Sequence, residues 1–457
     1  LAGLALLQFA TTSMEKHSSL FSRNFRKEYP VAVRGEGCWL ISADGRRFLD
    51  GAGQAAVVSI GHGVAEIGQA MAEQAARLAF AHTSQFHSEP AEKLAERLLQ
   101  LAPANFRGGR VYFTSGGSEA TETALKLARQ FQLEAGQPQR YGVVSRRQSY
   151  HGSTLGAMAV SGNVARRVAY QPLLAEWGHI EPCFPYHAGT DVRDRKYGVA
   201  CAEELAKFLD GPAGKNSAAF IFEPVVGATL GAAVPSDGYV ERIAEICREH
   251  GILLIADEIM SGMGRTGKAF AVEHWGAEPD IILVGKGIAS GYAPLGAVLV
   301  SERVAEAFER GSGIFQHGFT YQAHPVATAA GNAVLDYLEA HDLFERVTPA
   351  AETLRRDLQA LLQHPQVGDV RGLGLLVGVE FVKDKATREP FPPGEDIAEK
   401  IRQAVLAENV LVYPTQGCVD GLRGDHVLLA PPFILNAKES AGIAAALWLG
   451  LAKVFPG

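Results

Sequence analysis

Six short stretches of this chain are apolar at successive positions rather than at alternate ones. They are Arg110–Thr114, Tyr141–Ser145, Ala218–Phe222, Ile252–Ala256, Ile281–Val284 and Ala297–Val300. A strand with one face in water alternates, so strands that do not alternate are covered on both faces, as in a parallel sheet between two helix layers. Amphipathic stretches with apolar residues three and four apart lie among them, at 64–79, 90–101 and 119–133. The pattern predicts a doubly wound, mostly parallel α/β domain, with its ligand at the carboxyl ends of the strands.

The chain has 457 residues, more than one ordinary domain needs. After about Pro325 the character changes. Helical patterns near 325–340, 350–362 and 395–408 alternate with short strands near 374–382, 410–413 and 427–430, which predicts a smaller α/β unit. The segment Tyr29–Asp50 reads as a short β-meander that joins this unit. The expected division is therefore an N-terminal segment over 1–62, a large domain over 63–325 and a C-terminal domain over 326–457. No fixed-period repeat or low-complexity tract suggests a solenoid or a linker-joined array.

A net charge of −7 without a Lys/Arg block argues against a nucleic-acid surface. The five cysteines are scattered and form no metal-ligand spacing, so no metal is expected, and reduced thiols in a cytoplasmic enzyme fit them. The apolar run Leu1–Ala10 is too short to span a bilayer and has no basic residues before it, which disfavours a membrane anchor or secretion signal. Met14 is a candidate start, with residues 1–13 an extension.

One motif misleads. Gly262–Ala269 (GMGRTGKA) nearly matches the phosphate loop of nucleotide hydrolases, and Ile252–Glu258 resembles their acidic strand. Yet position 269 is Ala where a Mg²⁺-binding hydroxyl is required, and the acidic strand stands just ahead of the loop instead of far beyond it.

Four other features fall on predicted strand ends. Thr114–Glu119 (TSGGSE) leads a strand into a helix, where free N–H groups and glycines make an anion seat; a plain N-cap by Ser118 is the alternative. Asp257 closes the most apolar strand, where a carboxylate needs a cation or donor. Lys286 stands between glycines at the end of another, where burial would make its amine a nucleophile. Tyr150-His151-Gly152-Ser153 supplies an aromatic platform and a glycine for close approach. Together they form the parts list for pyridoxal 5′-phosphate: an imine lysine, a carboxylate for the ring nitrogen, a stacking ring and a phosphate seat.

In these features the chain resembles the class III (subgroup II) pyridoxal-phosphate aminotransferases, closest in type to the ω-amine:pyruvate branch. The likeness runs through SGGSEA (115–120), YHG (150–152), FEPV (222–225), ADEI (256–259), GMGRTGKAFA (262–271), EPDIILVGKGIASGYAPLGAV (278–298), HGFTYQAHPVATAAG (317–331), RGLGLLVGVEF (371–381) and LLAPPF (428–433). The resemblance implies the fold type I architecture, a homodimer, and ping-pong transfer of an amino group from an amine or ω-amino donor to a keto acid such as pyruvate, through an aldimine on Lys286. It implies Asp257 as partner of the pyridine nitrogen, with Tyr150 and Ile259 on the two ring faces and His151 beside them. It places Gly117 and Ser118 on the phosphate, Thr320 on the phosphate of the neighbouring subunit, and Glu223 beneath the site. An amino-acid decarboxylase or aminomutase on the same scaffold is the alternative activity.

Departures bear on the substrate. Ornithine-type members carry an arginine just before A-P-P to hold an α-carboxylate, whereas this chain has Leu428 and Leu429. The ω-amine branch places an arginine slightly upstream, before Gly-Asp, and Arg423-Gly424-Asp425 stands in that neighbourhood. Arg423 is therefore the candidate for the substrate carboxylate. The segment Gly51–Ser59 lacks the tryptophan common in that branch.

Overall fold

The computed structural model describes residues 19–456; the Leu1–Ala10 run and Met14 lie outside them. The described residues build three sheets. An antiparallel meander of β1 (Ala32–Glu36), β2 (Trp39–Ser42) and β3 (Arg47–Asp50) comes first. The large sheet holds β4 (Arg110–Thr114), β5 (Gly142–Arg146), β6 (His179–Ile180), β7 (Ser217–Phe222), β8 (Leu253–Asp257), β9 (Ile281–Val284) and β10 (Gly296–Val300), in the order β4-β10-β9-β8-β7-β5-β6. In the C-terminal part β11 (Val367–Leu373), β12 (Leu376–Phe381), β14 (Tyr413–Gln416) and β15 (Asp425–Leu429) form an antiparallel sheet, while β13 (Val410–Leu411) pairs in parallel with β3. The N-terminal meander thus shares a sheet with the C-terminal chain.

All six expected strands form, each within a residue or so of the expected bounds. β7, β8, β9 and β10 are buried at every position, as strands sandwiched between helices must be. Helices at Gly117–Glu134, Arg195–Asp210 and Tyr239–Glu249 supply apolar stripes to cover them. The parallel expectation needs one correction. β6, β5, β7, β8 and β9 form a parallel block, but β10 runs antiparallel to both β9 and β4. The chain between β9 and β10 carries one three-residue turn of 3₁₀ helix, too little for the crossover that a parallel return requires.

The run resembling a phosphate loop is a clamp. Arg265, from its middle, is buried and donates to the carbonyls of Pro431 (2.5 Å), Leu375 (3.2 Å) and Val58 (3.1 Å), and it lies over the Phe433 ring. Two C-terminal elements also escaped the sequence reading: β11, and the helix Ala437–Val454 with its reciprocal Asn436–Glu439 cap. No helix among the described residues is long and apolar enough to cross a membrane. All five cysteines are free.

Candidate active site

Because β4, β5, β7, β8 and β9 point the same way, their carboxyl ends share one edge of the sheet. There Gly117, Ser118, Tyr150, His151, Glu223, Asp257, Ile259 and Lys286 line a single cavity of about 170 Å³, with Gly152, Val225 and Met260. Eight residues expected from five separate sequence segments therefore meet in space.

Lys286 follows β9 with a left-handed backbone (φ 44°), which only a strongly determined loop imposes on a residue with a side chain. It is half-buried, and desolvation lowers its amine to about 8 against the opposing pull of Asp257 and Glu223. A larger share of neutral, nucleophilic amine near neutrality is the result.

Asp257 ends β8 and is buried. Its Oδ1 accepts the Ile259 N–H (3.1 Å), and its Oδ2 lies 2.7 Å from His151 Nδ1. A carboxylate can only accept, so Nδ1 donates and the imidazole is fixed in one orientation. The other ring nitrogen, Nε2, is buried without a partner. Glu223, just past β7, is buried and receives the N–H groups of Tyr150 (3.0 Å) and Gly227 (2.8 Å). Burial pushes its carboxyl above the usual range.

Ile259 forms one wall. A Cβ on Gly117 would fall 2.8 Å from its Cδ1, so any larger residue where the helix starts would push that wall aside. Tyr150 forms another, its hydroxyl 2.9 Å from Ser153 Oγ. Ser118 does not cap the helix: the N-cap is Gly116, with no side-chain cap, and Ser118 Oγ accepts from the Ser153 N–H (3.0 Å). Its own proton stays available, beside the first N–H groups of the helix, which have no intrahelical acceptor.

Two expected residues lie elsewhere. Thr320 is exposed, in a segment lining a separate cavity of about 670 Å³ together with His82 and Phe86. Arg423 is exposed, and its Nε donates to Asp420 (2.7 Å). Val225 and Met260 were missed, though each stands one or two positions from a residue that was expected.

A flat, phosphate-bearing pyridine fits this donor set. The walls are Ile259 and Tyr150, a carboxylate with lone pairs to spare stands at Asp257, an amine at Lys286, and N–H donors at Gly117 and Ser118.

Known proteins agree. A sequence description of the class III aminotransferases matches residues 21–447. The chain is similar to the solved (S)-enantioselective ω-transaminase of Thermomicrobium roseum, with 38% identity over 94% of each chain and a TM-score of 0.89. It is similar to an amine transaminase from an uncultivated Pseudomonas species, solved with pyridoxal phosphate bound, at 36% identity over 97% of this chain and 99% of the other, with a TM-score of 0.87. The putrescine–pyruvate aminotransferase of Pseudomonas aeruginosa is 33% identical, over 90% of this chain and 87% of its own length. With matches over nearly its whole length, the chain belongs to the class III aminotransferases, pyridoxal-phosphate-dependent transaminases of fold type I.

Proposed function

We propose that the protein moves an amino group from a plain amine or an ω-amino donor to a keto acid such as pyruvate. The observation that carries this reading is the cavity around Lys286. Its lining beside the reactive groups includes the apolar side chains of Val225, Ile259 and Met260. Position 428, where a cation would hold an α-carboxylate, is a buried leucine paired within the sheet to Gly378 and Tyr413. The ω-transaminase and amine transaminase likenesses point to the same donors.

The bound cofactor supplies an electron sink for the carbon that loses its proton. Lys286 would hold the cofactor covalently, then be displaced by the donor and carry a proton between the two reacting carbons. Asp257, oriented by His151 and the Ile259 N–H, would keep the ring nitrogen protonated. Tyr150 and Ile259 would fix the ring plane, and Gly117 and Ser118 would anchor the phosphate.

Thr320 is exposed and does not line its own Lys286 cavity, which supports a homodimer in which it reaches the neighbour's phosphate. The pairing of β3 with β13 supports the division into 1–62, 63–325 and 326–457. Five unpaired cysteines support a cytoplasmic location.

The test is a panel of plain amines, ω-amino acids and α-amino acids added to the cofactor-loaded enzyme without an acceptor, followed by the loss of cofactor absorbance. A transaminase stops after one turnover and restarts on pyruvate. Continued turnover with release of CO₂ would refute the proposal in favour of decarboxylation.

A further inference from the structure

We propose that Arg166 receives the carboxylate of the keto-acid acceptor. This assignment rests on the proposed function, since it supposes an anionic acceptor entering the Lys286 cavity.

Arg166 lies in the four-residue helix Val164–Arg167, and its guanidinium carbon stands 4.5 Å over the Tyr150 ring. Tyr150 lines the Lys286 cavity, so the cation stands one ring away from the lining of that cavity. Its place is determined rather than incidental. Asn163 Oδ1 accepts the Arg166 N–H (3.0 Å), and Gly162, just ahead, exchanges bonds with the turn that carries Tyr150: Gln148 N–H to Gly162 O (3.1 Å) and Gly162 N–H to Ser149 Oγ (3.1 Å).

Each of the other guanidiniums near the site has at least one acceptor, and Arg146, which is buried, donates to Glu223 O (2.6 Å) while its Nε and Nη1 have no partner. Arg265 is buried on three carbonyls. Arg167 donates to Ser161 O (3.0 Å) and approaches His179 Nε2 (3.3 Å). Arg423 is held by Asp420. Among the described residues Arg166 has no carboxylate partner, and its side-chain N–H groups donate to no acceptor. Contact with a ring face uses the flat of a guanidinium and leaves its edge free, the geometry that grips a carboxylate with two parallel bonds. The charge of Arg166 is also felt at Lys286, whose amine it helps to lower. An exposed cation on a short helix accommodates both partners of such a reaction: it meets the carboxylate of a keto acid and stays in water when a plain amine enters.

The test uses Arg166→Gln, Arg166→Lys and Arg423→Gln in the cofactor-loaded enzyme. After reduction by one amine turnover, each is reoxidised by pyruvate or by propanal, which lacks the carboxylate. Propionate, which cannot react, is titrated separately and its dissociation constant read from the cofactor absorbance. In Arg166→Gln the KM for pyruvate should rise about ten- to hundredfold relative to that for propanal, the size of a charge-assisted hydrogen-bond loss. Propionate should weaken in parallel, and Arg166→Lys should recover part of both. Equal changes for pyruvate and propanal would overturn the assignment, as would a selective loss in Arg423→Gln with none in Arg166→Gln. Should the wild type use no keto acid, the proposed function falls, while the propionate titration still decides whether Arg166 binds carboxylates.

Discussion

The floor and the rim of the cavity are built differently. On the floor, Asp257 and Glu223 are buried at strand ends, and each is held by a group from another part of the chain, His151 on the first and the Tyr150 N–H on the second, with the nearby Gly227 N–H added to Glu223. Beside Tyr150 at its rim, Arg166 is exposed on a four-residue helix, and Thr320 and Arg423 are exposed outside the cavity altogether. Rigid sheet edges hold reacting groups to within fractions of an ångström, whereas loops tolerate substitution and so adjust to different substrates. On the proposed function, chemistry is expected of the floor and selection of the rim.

Substitutions can break that contrast. The largest effect should come from Lys286→Ala, which should abolish transamination with every donor and acceptor while the protein stays folded. Borohydride should no longer fix the cofactor to the chain; if it still does, another lysine is the attachment point. Asp257→Asn should come next, lowering kcat on the order of a hundredfold for all substrates alike, because an amide cannot hold the ring proton electrostatically. A loss confined to one substrate would move Asp257 from the floor's role to the rim's.

The amine of Lys286 gives a third test, in pH. Only the neutral amine attaches the cofactor, and burial lowers the amine to about 8, so neutral amine accumulates as pH rises through that value. Attachment of pyridoxal phosphate to the cofactor-free protein, followed by absorbance, should speed up about tenfold between pH 7 and pH 9 and then level off. A rate still climbing steeply above pH 10 would mean that the lysine titrates as it does in water. The smallest effect is expected from Thr320→Val. Losing one hydrogen bond to phosphate should weaken cofactor retention about fivefold, with the ratio of substrates unchanged. No change in retention would place Thr320 outside the neighbour's site.

Legibility divides along the same line. Asp257 and Lys286 could be read from the chain because each ends an apolar run, and the end of a buried strand is where a charged group must have a purpose. The seat at Gly117 and Ser118 was legible for a similar reason, as glycines between a strand and a helix. The contact of His151 with Asp257 was not, since 106 residues separate them and only the sheet order brings β5 and β8 to one edge. The stacking of Arg166 on Tyr150 left no trace in spacing either. The direction of β10 was available in principle, from the shortness of its connection to β9. The helix Ala437–Val454 was available too, through N-x-x-E at its start, but its apolar residues are spread around the axis and blur the period.

Arg265 decides how the molecule can breathe. It rivets the stretch after β8 to the N-terminal segment at Val58, to the hairpin between β11 and β12 at Leu375, and to the segment past β15 at Pro431. Prying those three apart would strip acceptors from a buried guanidinium, at a cost of about 3–5 kcal/mol for an uncompensated interior charge. That cost favours keeping the three segments together while substrates come and go. Traffic through the cavity falls to the side chains and short segments at its mouth, so the rate of product release should follow changes in Arg166 and its helix more closely than changes at any hinge between domains.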